Sequence, residues 1–390
     1  MEHTKLLKFG ILIFMLIIGL GIISQPKTQT VAQDDGVDAC MTMVVKALQM
    51  VGTACAEIGR NEACYGHNSL DATFNTETPP RFDESGDLTG VGQLESLITQ
   101  PLDLNTGEWG VGVMLLQADL PEDNDSAMTL VLMGDTQLDS VTNDAESSAS
   151  QQTFTLQTSP SGDCGSVPDG LLIRSPEGQR ARVTVNGVEL VFSSAGYLTT
   201  PSDKLLSIQG LEGEIEVTAD GQTETIMPDF YTTIPLDNLQ ADGPPSLPQP
   251  IAEEQTLLLT AFDVATVALI DNEIGSQTFA TTNMTGTVNM HGVWRNIDMG
   301  DGSSQLLNLH SNRGIYVDFG ASTCGVDAGG IPLWAIIGHA STVSYTDTQA
   351  TATFNFRCLG GTVEPFSIEL IFTVVDMNTL EDNIGEIWRR

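Results

Sequence analysis

The sequence predicts a mainly β protein built from antiparallel domains, with one small α+β domain near its N-terminal end. Strand-length runs of apolar or alternating residues recur about every eight to twelve residues, which is typical of rolls and sandwiches. Asn-Gly and Asp-Gly turns separate several of these runs, and only one early segment has clear helical spacing. The length of 390 residues favours two or three domains over one.

Residues 1–32 are predicted to direct export. Lys5 and Lys8 precede an uncharged apolar run from Phe9 to Ile23, which is short for a bilayer span of about 20 residues and typical of a signal peptide. The small residues ending at Ala32 fit cleavage after that position. The alternative is a retained N-terminal anchor that contacts the membrane only through residues 9–23. Both alternatives place the remaining chain in the cell envelope or the extracellular space.

The charge is strongly acidic, with 15 basic and 51 acidic residues and a formal net charge of −36. Cleavage after Ala32 removes three of the basic residues and one acidic residue, which leaves 12 and 50 and a net charge of −38. Such a surface repels phosphate backbones, so we expect no nucleic-acid partner. The charge serves solubility, and it is also compatible with a cationic partner or a bound divalent cation.

The six cysteines are predicted to form disulfides, because an even number in an exported chain is typical of a disulfide framework. Cys324 and Cys358 lie far from the others in the sequence and are expected to pair with each other. The pairing of the remaining four is left open, and these are Cys40, Cys55, Cys64 and Cys164.

Residues 33–162 are predicted to form the cysteine-rich α+β domain. Apolar residues from Val37 to about Ile58 recur at three- and four-residue spacing and predict a helix that Gly59 ends. Two strand-length apolar runs follow, Glu108–Leu116 and Met128–Met133. The polar loop between them favours a hairpin.

Residues 163–242 are predicted to form a small β-domain, a β-roll. Arg182–Val185 and Val188–Phe192 flank Asn186-Gly187, which is the strongest short hairpin signal. Four prolines then mark residues 243–252 as a semi-rigid linker.

Residues 253–390 are predicted to form a C-terminal β-sandwich. Ala352, Phe354, Phe356 and Cys358 alternate along one strand and should share a buried face. The chain is expected to end in a short amphipathic helix capped by Thr379, with Leu380, Ile384 and Ile387 on one side.

Two segments carry resemblances. The run Cys64-Tyr65-Gly66-His67-Asn68, followed by the strand from Trp109 to Leu120, resembles uncharacterised exported proteins of Chloroflexi-type bacteria. Residues 171–237, with Val185-Asn186-Gly187-Val188 and Ile234-Pro235-Leu236-Asp237, are similar to the FecR-like periplasmic β-domain. That resemblance implies the shape of the domain. It does not imply the signalling role of FecR, because only Met1–Lys8 could face the cytoplasm and Pro228-Asp229-Phe230 replaces the usual Gly-Gln.

Catalytic motifs are absent from the sequence, which has no GxSxG, HExxH, P-loop or Rossmann glycine pattern. A Cys64–His67 nucleophile is not expected, since a disulfide-bonded sulfur is no thiolate. His291 and His310 near two aspartates match no known ligand spacing, and His67 and His339 are expected to be solvated or satisfied in the core.

Calcium is the one cofactor for which the sequence offers candidates, because hard oxygen ligands suit this ion. The candidate ligands are Asp123, Asp125, Asp298 and Asp301, although turn formation explains both loops equally well. A distant carboxylate pair for glycoside hydrolysis stays open. We therefore expect a non-catalytic binding module of the envelope or extracellular space, with an envelope structural component or an exported hydrolase as alternatives. The ligand is unknown, and a cationic one would suit the charge.

Overall fold

The structure, a computed structural model, describes most of the chain after residue 42. The described residues are 43, 44, 47, 48, 50–117, 127–140, 153–159, 169–176, 179–251, 290–297, 304–309, 313–326, 332–358 and 365–389. Helix α1 is helical at its described positions from 43 to 54, in agreement with the predicted helix, and a 3-10 turn covers Val91–Gln93. No helix in these ranges is long and apolar enough to cross a membrane.

Sheet A contains ten of the described strands. Their order across the sheet is β17, β16, β13, β12, β9, β6, β5, β1 and β3, with β18 also paired to β16. The strands are β1 (Glu62–His67), β3 (Leu88–Gly90), β5 (Val111–Leu116), β6 (Met128–Met133), β9 (Gly170–Arg174), β12 (Ala195–Ser202), β13 (Leu205–Glu212), β16 (Phe230–Asp237), β17 (Gln240–Ala241) and β18 (Gln249–Pro250).

Sheet B contains eight of the described strands, in the order β15, β14, β11, β10, β8, β7, β4 and β2. They are β2 (Leu70–Phe74), β4 (Leu94–Thr99), β7 (Thr136–Ser140), β8 (Thr153–Thr158), β10 (Ala181–Val185), β11 (Val188–Phe192), β14 (Ile215–Ala219) and β15 (Gln222–Ile226).

Sheets A and B enclose an aliphatic core. Alternate residues of each strand point inward, as the period of two requires. Leu130 and Leu132 of sheet A belong to the same buried cluster as Leu156, Val183 and Leu190 of sheet B. The other face of sheet A is covered in part by α1, whose Leu48 and Val51 share a cluster with strand β5.

Strand pairing joins the two segments that the sequence assigns to separate domains. In sheet A, β6 from the first segment pairs antiparallel with β9 from the second. In sheet B, β8 pairs with β10, and this pairing is parallel. The described strands between residues 62 and 242 therefore share two continuous sheets, a sandwich-like arrangement that crosses the boundary expected near residue 162.

The Asn-Gly hairpin forms as predicted. Val185 and Val188 are the last register pair of β10 and β11, and Asn186 and Gly187 both have positive φ, at 52° and 76°. Positive φ at both central residues gives the turn a twist that matches paired strands. The predicted β5–β6 hairpin also forms, with Val111 opposite Met133.

The proline-rich segment packs against β16 over part of its length. Ser246 accepts a hydrogen bond at its Oγ from the amide of Thr233, and its carbonyl accepts one from the Thr232 hydroxyl. Gln249 pairs with Tyr231 as part of β18. At least residues 246–250 are therefore attached to sheet A, whereas the sequence predicts a linker over 243–252.

The C-terminal strands close into a barrel. They are β19 (Gly292–Ile297), β20 (Ser304–Leu309), β21 (Gly314–Val326), β22 (Pro332–Ala340), β23 (Val343–Tyr345), β24 (Gln349–Cys358), β25 (Phe366–Asp376), β26 (Thr379–Asp382) and β27 (Ile387–Arg389). Eight of these form a ring, because β22 pairs with both β21 and β24 and the others follow in sequence through β19–β27 pairing. Strand β23 pairs with β24 outside the ring.

Aromatic side chains fill the barrel. The rings of Trp294, Phe354, Phe372 and Trp388 are all fully buried. Tyr316 lies edge-on to Trp388 with ring centroids 5.5 Å apart. A closed barrel of eight strands has an interior about wide enough for side chains to fill, and these rings occupy that space. The predicted burial of the alternate residues of β24 is confirmed at Ala352, Phe354 and Phe356.

The expected C-terminal helix is wrong, since residues 379–389 form the hairpin β26–β27. Asp382 explains the difference, because its carboxylate accepts the amide hydrogens of Ile384 and Glu386 and the indole hydrogen of Trp388. Such side-chain bonds to the backbone compete with helical ones. Leu380 is buried in the barrel, while Ile384 is exposed in the turn.

The predicted fold class is confirmed, because the described chain is mainly β and its sheets are antiparallel apart from the β8–β10 pair. The sequence predicts a two-sheet sandwich for the last domain, and the structure joins those strands into one ring. Arg313, just before β21, links this ring to sheet A. It donates to the carbonyl of Leu211 and lies 3.6 Å from the carboxylate of Asp229.

Candidate functional site

Two of the predicted disulfide cysteines bond to each other at the end of α1. Cys55 and Cys64 form a disulfide that ties the helix to β1, with both side chains buried. Cys64 is therefore not a thiolate nucleophile. Cys358 is also disulfide-bonded. Its pairing with Cys324 stays a prediction, because the Cys324 side chain lies outside the described part, as do Cys40 and Cys164.

The histidines that the structure describes are held by structural contacts. The Nδ1 atom of buried His67 lies 2.9 Å from the Trp109 carbonyl oxygen. The ring of His291 packs edge-on to Tyr345, with centroids 4.9 Å apart, and burial raises the pKa of Tyr345 to about 12. His339 lies in β22. His310 falls outside the described ranges.

The predicted calcium ligands lie outside the described residues, so calcium there stays a prediction. This applies to Asp123, Asp125, Asp298 and Asp301. Within the described ranges, no group of three or more His, Cys, Asp or Glu side chains is placed to hold a metal ion.

A pair of carboxylates lies at one end of the sandwich, where the turn between β6 and β7 passes from sheet A to sheet B. Asp135 is in that turn, and Asp169 directly precedes β9. The Asp135 amide donates a 2.9 Å hydrogen bond to Oδ1 of Asp169. A Cβ atom built on Gly134 would lie 1.9 Å from that same oxygen, so only glycine leaves room for the carboxylate. We call Asp135 and Asp169 the aspartate pair.

Tyr197 of β12 lies beside the aspartate pair. It is 3% exposed, and a Cβ built on Gly170 would lie 2.6 Å from its hydroxyl oxygen. Desolvation raises the pKa of Tyr197 well above its ordinary value, and the charge of Asp169 adds to this effect. The phenol is therefore a neutral hydrogen-bond donor over the ordinary pH range.

The surroundings of Asp169 shift the pKa of its carboxyl group upward. Burial raises the pKa of Asp169, the Asp135 amide lowers it, and the negative charge of Asp135 raises it further. No cationic side chain contributes to this balance. Among the described residues, Asp169 has no ion pair, so its charge is offset only by the amide hydrogen bond.

Threonine hydroxyls hold the two sheets together near the aspartate pair. Thr99 of sheet B donates to the carbonyl of Gly134. Thr158 of sheet B and Thr200 of sheet A exchange bonds, since each hydroxyl oxygen accepts the other residue's amide hydrogen. All three threonines are buried, so these bonds satisfy polar groups that burial would otherwise leave unpaired. The backbone next to the aspartate pair is thereby bonded to both sheets.

A second candidate site is the outward side of sheet B across β10, β11, β14 and β15. Because the neighbouring residues Val183 and Val217 point into the core, the intervening residues point outward. Two rows of register partners cross these strands. We call this surface the balanced face, and it consists of Thr184, Glu189, Thr218 and Thr223 in one row, Arg182, Val191, Glu216 and Thr225 in the next, and Arg180 beside them.

Ion pairs neutralise the charged groups of the balanced face. Arg182 lies 2.9 Å from the carboxylate of Glu189, and Arg180 lies 2.8 Å from that of Glu216. The hydrogen bond to Glu216 raises the pKa of Arg180. The two arginines and two glutamates cancel in formal charge, with the exposed Glu214 at the margin. This face therefore differs from the rest of a chain whose net charge is −36.

Sequence reasoning identified neither site. The aspartate pair and Tyr197 come from distant parts of the sequence. The dipeptides Gly134-Asp135 and Asp169-Gly170 lie at strand ends, where they indicate turns. Those dipeptides in an acidic chain are the only local signal for the aspartate pair. The β10–β11 hairpin of the balanced face was predicted, but the pairing of β11 with β14, which completes this face, was not.

Comparisons with known proteins show no family for this chain. No protein-family model matches it, and no curated protein matches it. Two crystal structures of a candidate anti-sigma factor from Parabacteroides distasonis are similar to it, each with 10% identity and a TM-score of 0.26. Each alignment covers 43% of this chain and 64% of the other, so the chain spans less than two thirds of that protein. At this TM-score the likeness carries no argument.

Proposed function

We propose that this chain is an exported, non-catalytic binding module that uses the balanced face to bind a cationic ligand of the cell envelope or extracellular space. The observation that carries this proposal is the neutral, threonine-rich surface on an otherwise strongly acidic chain. Export by residues 1–32 is part of the proposal, and so is the likeness to FecR-like domains. The Cys55–Cys64 disulfide is compatible with export.

The charge distribution suits a cationic ligand in two ways. The net charge of −36 attracts cations over a distance and raises their association rate. At the balanced face, each arginine is paired with a glutamate, so its positive charge does not repel the approaching ligand. The hydroxyls of Thr184, Thr223 and Thr225 can then donate or accept hydrogen bonds. The same charge argues against nucleic acid as a partner.

The proposal is tested by retention of envelope components on immobilised residues 33–390, eluted with a NaCl gradient in calcium or in EGTA. We expect saturable retention by the wild-type chain. The same components should elute from the double variant Glu189→Gln with Glu216→Gln at a lower NaCl concentration than from the wild type. The reason is that Arg182 and Arg180 then lose the carboxylates that neutralise them.

The matched control is Asp71→Asn with Asp139→Asn. These residues lie on the same side of sheet B, in β2 and β7, and their loss changes the net charge equally. Elution of the control should match the wild type. Equal shifts in both double variants would assign the retention to overall charge and remove the balanced face as the binding surface.

The alternative of an envelope structural component would require a strand edge open to assembly. The described edge β15 is polar, and Glu224 lies on its core-facing side opposite Val217. A charge pointing inward on an edge strand opposes further strand pairing. This arrangement favours a binding module over a component that assembles by strand addition.

The alternative of an exported hydrolase has one supporting observation, which is the raised pKa of both Asp169 and Tyr197. A raised carboxyl pKa suits a proton donor. The test is hydrolysis of chromogenic glycoside and ester substrates by the wild type and by Asp169→Asn. Turnover that is lost in Asp169→Asn would overturn the non-catalytic proposal.

A further inference from the structure

We propose that the turn between β14 and β15 is a site of spontaneous covalent modification, at which Asp220 isomerises to isoaspartate through a succinimide ring formed with Gly221. This inference is independent of the ligand proposed above. It rests on a comparison of two hairpin turns, since Asn186-Gly187 and Asp220-Gly221 both place a short polar side chain before glycine at positive φ. Asn186 is buried in its turn, whereas Asp220 is exposed in the other.

The reaction needs only the chain itself and water. The backbone nitrogen of Gly221 attacks Cγ of the Asp220 carboxyl group, a C–N bond forms, and the amide proton and a hydroxyl group leave as one water molecule. Water then adds to either carbonyl of the five-membered ring and breaks one of its two C–N bonds. One product is the original aspartate, and the other is isoaspartate, whose backbone runs through the former side chain. Glycine favours the attack because no Cβ hinders the approach of its nitrogen.

No described contact holds the reacting groups at Asp220 apart. Within the described residues, the Asp220 carboxylate makes no hydrogen bond or ion pair, and the Gly221 amide donates no hydrogen bond. A Cβ built on Gly221 would meet no atom within 4 Å. The turn also leads into an edge strand, since β15 pairs with β14 alone among the described strands and exposes Gln222 and Thr223. Such an edge opens locally more readily than the middle of a sheet, so the turn can reach the geometry of the attack.

The reacting groups at Asn186 are held apart by hydrogen bonds. Its side-chain oxygen accepts the Leu156 amide hydrogen at 3.0 Å, and its side-chain nitrogen donates to the carbonyls of Leu156 and Leu239 at 3.0 and 2.8 Å. Attack by the Gly187 nitrogen would turn this side chain away from its partners and leave buried polar groups unpaired. In unfolded chains Asn-Gly reacts faster than Asp-Gly, because a neutral amide is attacked more readily than an ionised carboxylate. The fold therefore reverses the order in which the two turns react.

Isoaspartate would weaken the pairing of β15 with β14. The two-residue turn matches its strands because Asp220 and Gly221 have φ of 47° and 69°, and isomerisation adds one backbone methylene group to it. The register partners Thr218 and Thr223, whose hydroxyl oxygens lie 2.8 Å apart, are close to this turn. We expect the amide hydrogens of β15 to exchange faster after conversion, while those of β10 are unaffected.

The experiment follows both turns in the purified full-length chain during incubation at mildly acidic pH, in native buffer and in concentrated guanidinium chloride. Peptide mapping by mass spectrometry separates isoaspartate, which leaves the mass unchanged, from deamidation of Asn186, which raises it. Enzymatic methylation of isoaspartyl carboxyl groups gives an independent count. In native buffer Asp220 should convert at least about tenfold faster than Asn186, because reaction at Asn186 first breaks buried hydrogen bonds. In guanidinium chloride Asn186 should be the faster of the two.

Asp220→Glu is the test variant, because glutamate would have to form a less favourable six-membered ring, so isomerisation at this turn should stop. The matched control is Asp203→Glu, since Asp203 is an exposed aspartate that Lys204 follows instead of glycine. In this control Asp220 should convert as in the wild type, and near-UV circular dichroism shows whether each variant keeps its fold. The proposal is overturned if Asp220 in the folded wild type converts no faster than Asp203. It is also overturned if Asn186 reacts faster than Asp220 there, and neither comparison needs a variant.

Discussion

The sandwich of sheets A and B and the C-terminal barrel solve the same packing problem with different side chains. Between the two sheets, the core is mostly Leu, Val and Ile in layers, with few rings. Inside the barrel, the core also contains five large buried rings, those of Trp294, Phe354, Phe356, Phe372 and Trp388. Stacked or edge-on ring contacts connect several of them, such as Phe354 with Phe372 at 6.2 Å.

The difference follows from the shape of the two cores. Two stacked sheets lie about 10 Å apart, and interdigitating aliphatic side chains span that distance. A closed barrel has a round interior whose centre is far from every strand, so larger side chains are needed to fill it. A closed ring of strands also has no open edges, whereas the sandwich has a charged edge at β15.

The largest expected effect is therefore loss of a barrel ring. Phe354→Ala should lower the free energy of unfolding by about 3–5 kcal/mol, since it leaves a cavity that the surrounding rings cannot close. The phenyl ring is fully buried and contacts Tyr316, Phe356 and Phe372. Chemical denaturation gives the change. Hydrogen exchange should show faster exchange in β24 and β25 with little change in β10 and β11.

Ile368→Ala is the matched control, because Ile368 is the register partner of Phe354 on the neighbouring strand and is exposed. Its cost should be below about 1 kcal/mol. Faster exchange throughout both regions in Phe354→Ala would mean that the barrel and the sandwich unfold as one unit.

The next effect concerns the sandwich, where a disulfide braces α1 against sheet A. Replacing Cys55 and Cys64 together by Ala should lower the stability by about 2–3 kcal/mol, the loop-entropy value for a short loop. The two residues are nine positions apart and nearly inaccessible. Differential scanning calorimetry measures the loss, and hydrogen exchange should locate it at β1 and β5. An unchanged Tm would show that packing of α1 alone holds this region.

Much of this comparison could be predicted from sequence, because local patterns determine strands and turns. Alternation predicted the buried residues of β24, and Asn186-Gly187 predicted the β10–β11 hairpin. The pattern has the same period whether strands lie in a sandwich or a barrel, so it could not predict the β22–β24 pairing that closes the ring. Closure depends on contacts between strands, which a local pattern does not contain.

The C-terminal helix was wrongly predicted and the aspartate pair was not predicted at all, and both outcomes have the same cause. Leu380, Ile384 and Ile387 have helical spacing, but the Asp382 carboxylate binds the amides of the turn and the strand pairing decides the structure. Asp135 and Asp169 look like ordinary turn residues. Only the pairing of β6 with β9 brings their neighbourhoods together.

A smaller effect distinguishes buried from exposed turns within the sandwich. Asn186→Ala should cost about 1–3 kcal/mol, because buried groups of Leu156 and Leu239 lose their hydrogen-bond partner. The Asn186 side chain accepts from the Leu156 amide and donates to the carbonyls of Leu156 and Leu239. Urea denaturation measures the loss.

Asp220→Ala is the control for that prediction. Asp220 has a similar positive φ of 47° in the β14–β15 turn and is exposed. Both variants place Ala in a strained conformation, so the difference between their costs reports the hydrogen bonds alone. Equal costs would assign the role of Asn186 to its backbone conformation.

The smallest effect is the pH dependence of the aspartate pair. Burial and the charge of Asp135 raise the pKa of Asp169 above its unfolded value, so the folded chain binds this proton more readily than the unfolded chain does. Ionisation of Asp169 therefore lowers the free energy of unfolding. This destabilisation is complete above the raised pKa and disappears as the pH falls to about 4. Asp169→Asn should raise the Tm at pH 7 in metal-free buffer, and the advantage should shrink on acidification.

The pKa of Asp103, which lies between β4 and β5, is shifted in the opposite direction. The Asn105 amide lowers the pKa of Asp103, so its ionised form stabilises the fold above the unfolded pKa, and this contribution is lost as the pH falls through the lowered value. Asp103→Asn should therefore lower the Tm slightly at pH 7 and have no effect at low pH. Melting curves from pH 3 to pH 8 measure both variants. If Asp169→Asn followed the same direction as Asp103→Asn, the hydrogen bond from the Asp135 amide would outweigh the effects of burial and of the Asp135 charge.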